Sequence, residues 1–145
     1  MIHIINTVAE KEYIALVEVW EASVRATHHF LSEADIQFFK PLILNEYLKA
    51  VELFCVKSDS GEILGFIGIA ENKVEMLFID PVVRGQGIGK ALLQYAIKEK
   101  AINAVDVNEQ NEQAVGFYLH EGFKVTGRSA VDGMGKPFPI LFMEL

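Results

Sequence analysis

The stretch from Leu77 to Lys90 constrains this chain more than any other. An apolar run fit for a strand, Leu77-Phe78-Ile79, ends at Asp80-Pro81. Three glycines then alternate with other residues in Arg84-Gly85-Gln86-Gly87-Ile88-Gly89-Lys90, and from Lys90 to Lys100 the residues Leu92, Leu93, Ala96 and Ile97 recur at helical spacing. Glycine permits left-handed backbone and leaves its amide unobstructed. Amides free at a helix N-terminus, at the positive end of the helix dipole, form a site suited to a diphosphate. A tight turn alone would need one or two glycines, not three in alternation. The unit strand, glycine loop, helix predicts an α/β chain.

Spacing separates the phosphate loops that glycine runs can make. A P-loop requires Gly at position 84 and Ser or Thr at 91, where Arg84 and Ala91 stand. A dinucleotide loop requires a third glycine at 90, occupied by Lys90, and belongs near the first strand of its domain. What fits is R-x-x-G-x-G, carried by Arg84, Gly87 and Gly89. A second pattern, N-x-x-A-x-x-F-Y-x-x-x-G-F, runs through Asn111, Ala114, Phe117, Tyr118, Gly122 and Phe123. Asn111, Ala114 and Tyr118 stand at i, i+3 and i+7, one helical stripe with room for a ligand between an amide and a phenol. Tyr118 also suits a core aromatic beside Val115, Phe117 and Leu119.

The rest of the chain supplies elements around these motifs. Ile14, Leu16, Val17, Trp20 and Val24 predict an amphipathic helix from Ala9 to about Val24. Ser32 ahead of Glu33 and Asp35 predicts the N-cap of a second helix, with Phe38, Phe39, Leu42, Ile43 and Tyr47 as its apolar face and Pro41 placed to kink or divide it. Glu52–Lys57, Ile63–Ala70 and Lys73–Ile79 read as a three-stranded meander. A strand at Ala104–Val107, a helix from Glu112 to Glu121 closed by Gly122, and strands at Phe123–Ser129 and Phe138–Met143 complete the chain. The apolar N-terminus, Met1 to Asn6, alternates like an edge strand. It is short and lacks a basic start, so it does not read as a signal peptide, and the expected location is cytoplasmic.

A length of 145 residues, 51% of them hydrophobic, predicts one domain spanning 1–145. A formal charge of −7 without a Lys/Arg cluster argues against nucleic acid and favours a cationic substrate. No stretch reads as a membrane span. The only cysteine, Cys55, lies in an apolar run and implies neither disulfide nor metal site, and no metal is expected.

Together the two motifs, their separation and the order of elements resemble the GNAT superfamily of N-acetyltransferases. The runs Ala26 to Leu31 and Val107 to Ala114 are similar to those of its small bacterial YjaB-like members, some of which modify protein lysines. The resemblance implies a GNAT fold, α/β, with a mixed central sheet of about seven strands and helices on both faces. It implies transfer of acetyl from acetyl-CoA to a primary amine by direct attack, the amine being a protein lysine, a protein N-terminus or a small cation. Coenzyme contacts would fall on the main chain of Leu77, Phe78 and Ile79, where two parallel strands splay, on Arg84, Gly85, Gln86, Gly87, Ile88, Gly89 and Lys90, and on Ala114 and Phe117. Asn111 would touch the pantetheine arm, and Tyr118 would protonate the departing thiolate.

Such aminolysis requires the amine to lose a proton. Asp106, five residues before Asn111, and Glu75, on the other splayed strand, are the first candidates to take it. His28 is a third, and with Thr27 and Phe30 it is expected to shape the acceptor pocket. A non-catalytic acyl-CoA-binding module and a transferase for longer acyl groups are the alternatives, and the chain is expected as a monomer or homodimer.

Overall fold

The computed structural model describes residues 3–145, so Met1 and Ile2 of the expected N-terminal strand lie outside the described residues. Among the described residues seven strands make one sheet: β1 (Asn6–Thr7), β2 (Glu52–Lys57), β3 (Ile63–Ala70), β4 (Lys73–Ile79), β5 (Ala104–Asn108), β6 (Lys124–Ser129) and β7 (Ile140–Glu144). Their order is β1-β2-β3-β4-β5-β7-β6, and every neighbouring pair is antiparallel except β4 with β5. Helices α1 (Tyr13–Thr27) and α2 (Glu33–Leu42) cover one face of the sheet, and α3 (Ile88–Lys100) and α4 (Glu112–His120) the other.

Strand alternation sorts the core into two layers. Phe54, Val56, Ile67 and Ile69 meet Ile88, Leu92, Leu93 and Ala96 of α3, whereas Leu53, Cys55 and Phe66 meet Leu16, Val17, Trp20 and Val24 of α1. Ile14 departs from the expected apolar face of α1 and is 64% exposed. At about 100° per residue Ile14 points roughly 160° away from Leu16 and roughly 120° away from Trp20, so it falls outside the buried stripe of α1 wherever the helix begins. Ser32 caps α2 as expected: its hydroxyl accepts from the Asp35 amide at 3.0 Å and its own amide donates to the Asp35 carboxylate at 3.0 Å. Pro41 has no N–H to give to Gln37, and the chain answers by widening into a π turn at Ile43–Tyr47 rather than breaking.

One irregularity in β4 shapes the molecule. Gly68 pairs with Met76 and Ile69 with Val74, so Glu75 is an extra residue, a β-bulge. Alternation therefore flips across it. Val74, Leu77 and Ile79 face the α3 layer, and Met76 and Phe78 face the α1 layer. A bulge bends its strand. Strands β4 and β5 pair only at Lys73 with Ala104 and Val74 with Val105, immediately before the bulge. Beyond it β4 continues to Ile79 and β5 to Asn108 without pairing each other, which opens a slot in the middle of the sheet.

Candidate active site

The end of β4 beside the slot, Leu77 to Ile79, forms the floor of a cleft of about 320 Å³. The glycine loop, α4 and the C-terminal end of α1 form its walls. Gly87, at φ +79°, is the N-cap of α3, and its carbonyl accepts the Ala91 amide at 2.9 Å. The amides of Ile88, Gly89 and Lys90 precede that first helical bond and have no partner within the helix. A side chain on Gly85 or Gly87 would meet no atom within 4 Å, so the space over the loop is open to a ligand. Leu77, Phe78, Ile79, Arg84, Gly85, Gly87, Ile88, Gly89, Lys90, Ala114 and Phe117 all line the cleft. Gln86 does not: its carbonyl is 2.7 Å from Nε2 of His3 and its side chain is exposed.

Asn111 and Tyr118 line the same cleft. Asn111 stands just ahead of α4 as its N-cap rather than within the expected helical stripe. Its Oδ1 accepts the Ala114 amide at 3.2 Å, and its Nδ2 lies 3.3 Å from Nε2 of His28. Tyr118 is 5% exposed, between the rings of Phe117 and Phe123. Its hydroxyl makes no hydrogen bond among the described residues, yet no buried side-chain polar atom there lacks a partner, so this oxygen opens to the cleft. Burial pushes the phenol pKa well above its ordinary value. The hydroxyl thus keeps its proton and faces the slot as a donor.

Residues 17–136 match the family model described as the acetyltransferase (GNAT) domain. The chain belongs to the GNAT acetyltransferase family. It is 47% identical over 126 residues to the peptidyl-lysine N-acetyltransferase YjaB of Salmonella typhimurium, a match that covers 87% of this chain and 86% of that protein. The solution structure of apo-form YjaB from Escherichia coli superposes with a TM-score of 0.89 at 40% identity, covering 99% of this chain and 97% of the other. The PaiA N-acetyltransferase of Thermoplasma acidophilum, solved with coenzyme A, superposes at 0.73 with 28% identity over the full length of both chains. The chain is accordingly an acetyltransferase with the GNAT fold, and its acceptors are amines.

Within this GNAT domain the three candidate proton acceptors separate. Asp106 is held by Lys73 at 3.0 Å, and Glu75 sits exposed on the bulge with its pKa raised by partial desolvation; neither carboxylate lines the cleft. Thr27 and His28 do line it. Phe30 stands one layer back, its ring 5.2 Å from that of His28 and 5.9 Å from that of Phe138. Burial, then Arg84 and His29, lower the His28 pKa to about 4. Three lining residues went unrecognised in the sequence. Ser23 shares the α1 face of Thr27 at four-residue spacing, which a helical projection could have shown. Gln113 accepts from Nη1 of Arg84 at 2.7 Å, and Val83 ends the turn after Pro81; neither carries a local signal. Among the described residues no group of three His, Cys, Asp or Glu side chains is placed to hold a metal ion, and no helix is long and apolar enough to cross a membrane.

Proposed function

We propose that this chain acetylates lysine side chains of proteins with acetyl-CoA as donor. The observation that carries the reading is the convergence, in one cleft between splayed strands, of the free amides of Ile88, Gly89 and Lys90 with Asn111 and the Tyr118 hydroxyl. The loop suits a diphosphate: its amides are unspent and the space above Gly85 and Gly87 is clear. The unpaired inner edge of β4 between Met76 and Ile79 offers backbone groups to the two amides of a pantetheine arm, as a strand would.

Tyr118 supplies the proton, or a strong hydrogen bond, to the sulfur that leaves. Glu75, a carboxylate on the bulge outside the cleft, acts by attracting a cationic lysine, whereas Asp106 is already paired with Lys73. The choice of a protein lysine is supported by the YjaB relatives, which are named for that acceptor. To test the reading, purified protein is incubated with acetyl-CoA and a panel of lysine peptides, N-terminal peptides and small diamines, following thiol release and the mass of the products. Acetylated lysine peptides are the expected result. Thiol release only with small diamines would discard the protein acceptor.

A further inference from the structure

We propose that His28 takes the proton of the attacking amine, through Nε2, because Ser23 and Thr27 fix the other ring nitrogen as the protonated one. The assignment follows from counting protons along one chain of contacts. The Thr27 hydroxyl has a single hydrogen and lies 2.8 Å from the Ser23 carbonyl, which can only accept, so its proton is spent there. The same oxygen lies 2.8 Å from Nδ1 of His28 and must accept in that contact, so Nδ1 carries the hydrogen. In a neutral imidazole Nε2 is then a lone pair. Its partner is Nδ2 of Asn111, and that orientation is also determined, since Oδ1 of Asn111 is committed to the Ala114 amide.

At 3.3 Å the bond from Asn111 to His28 is the longest link of this chain. The N–H of an ammonium entering the cleft is charged, hence a better donor than a neutral amide, and displaces it. Phe30 and Phe78, with centroids 5.2 and 6.4 Å from the imidazole, hold the ring in place. The charged and titratable neighbours are Arg84 from the glycine loop, His29 from the same turn and the Tyr118 phenol across the cleft; β4 presents only Phe78. With its pKa lowered to about 4, the ring is neutral at physiological pH and keeps its Nε2 lone pair. His28 is also the C-cap of α1, so the negative pole of that helix favours the imidazolium once it forms.

The step balances. The ammonium gives one proton to Nε2, and the lone pair so freed attacks the thioester carbonyl carbon as the C–N bond forms. The C–S bond breaks with its electron pair on sulfur, which takes the Tyr118 proton. The second proton of the nitrogen passes to the Tyr118 oxygen, and His28 releases its own proton to solvent, which restores the enzyme.

This role rests on the amine-transfer reading above, and one arm of its test is independent of which amine is used. Nitrogen-15 NMR of histidine-labelled protein is expected to find His28 protonated on Nδ1 and bare on Nε2, and Thr27→Val to lose that preference. A ring protonated on Nε2 in the unsubstituted protein overturns the proposal. In the second arm, His28→Gln is expected to lower kcat on a lysine peptide roughly 30- to 300-fold at neutral pH while the KM for acetyl-CoA stays within about threefold. The deficit should shrink as the pH rises, and imidazole should restore part of the activity of His28→Ala. A His28→Gln kcat within about threefold of the original, or a loss expressed wholly in KM and unmoved by imidazole, overturns it. If the protein acetylates some other amine but no lysine peptide, the acceptor reading fails, and the same variants are read on the amine it does use.

Discussion

Tyr118 illustrates how much one residue owes to its surroundings. A phenol on an apolar stretch of sequence is as easily a core aromatic as an acid. Here its ring packs against Phe117 and Phe123 while its oxygen opens to the cleft, a placement compatible with both. Tyr118→Phe keeps the packing and removes the proton; turnover should fall roughly ten- to a thousandfold with little change in acetyl-CoA affinity, read from steady-state thiol release. His28 carries a stability consequence as well. Its folded pKa of about 4 lies below the ordinary 6.5, so between those values the unfolded chain binds a proton that the folded chain does not. Its contribution to stability is therefore complete above the unfolded value and is lost as the pH falls toward 4, at no more than about 1.4 kcal/mol per pH unit. Urea midpoints at a series of pH values should drop less steeply over this window in His28→Gln than in the unsubstituted protein. Thr27, His28, Asn111 and Tyr118 could each be picked out of the sequence. Their meeting could not, because the contact of Asn111 with His28 joins positions 83 apart.

The elements were legible where local pattern governs them. Strands β2, β3 and β4 occupy the expected residues, because each is an apolar run bounded by turn-forming residues. Element ends set by packing moved instead. Helix α3 starts at Ile88 rather than Lys90, since the left-handed Gly87 serves as its cap. The bulge at Glu75 left no local mark, because it depends on where β3 and β4 find their register. Gly65 on β3 is a further case of an invisible requirement. A β-carbon there would lie 2.6 Å from Cδ1 of Ile79, 3.0 Å from Cγ2 of Ile88 and 3.2 Å from the Phe78 carbonyl. Ile79 and Ile88 are themselves walls of the cleft. Gly65→Ala should cost roughly 1–3 kcal/mol in denaturant unfolding. It should also weaken acetyl-CoA binding by calorimetry, although residue 65 itself lines no part of the cleft.

At the scale of the whole molecule, a single sheet is divided into two paired halves, β1 to β4 and β5 to β7, joined at only two residue pairs of β4 and β5. A ligand that fills the slot between the halves binds only the folded state and must stabilise it. Acetyl-CoA at about a hundred times its dissociation constant should add roughly 2.7 kcal/mol, a rise in Tm of several degrees by thermal scan. Gly87→Val, which strains a left-handed position and fills the space above the loop, should nearly abolish that rise while the protein stays folded. By itself the sequence determined the α/β class, the glycine loop ahead of α3 and the helix that carries Tyr118. These are short-range properties: glycine conformation, helical period and the spacing of residues along one element. Only the tertiary structure decided that β4 bends away from β5 and that Asp106 is bound to Lys73 outside the cleft. It also brought His28, from the end of α1, to Asn111 at the start of α4. Those outcomes depend on strand register and on contacts between distant segments, which no local pattern encodes.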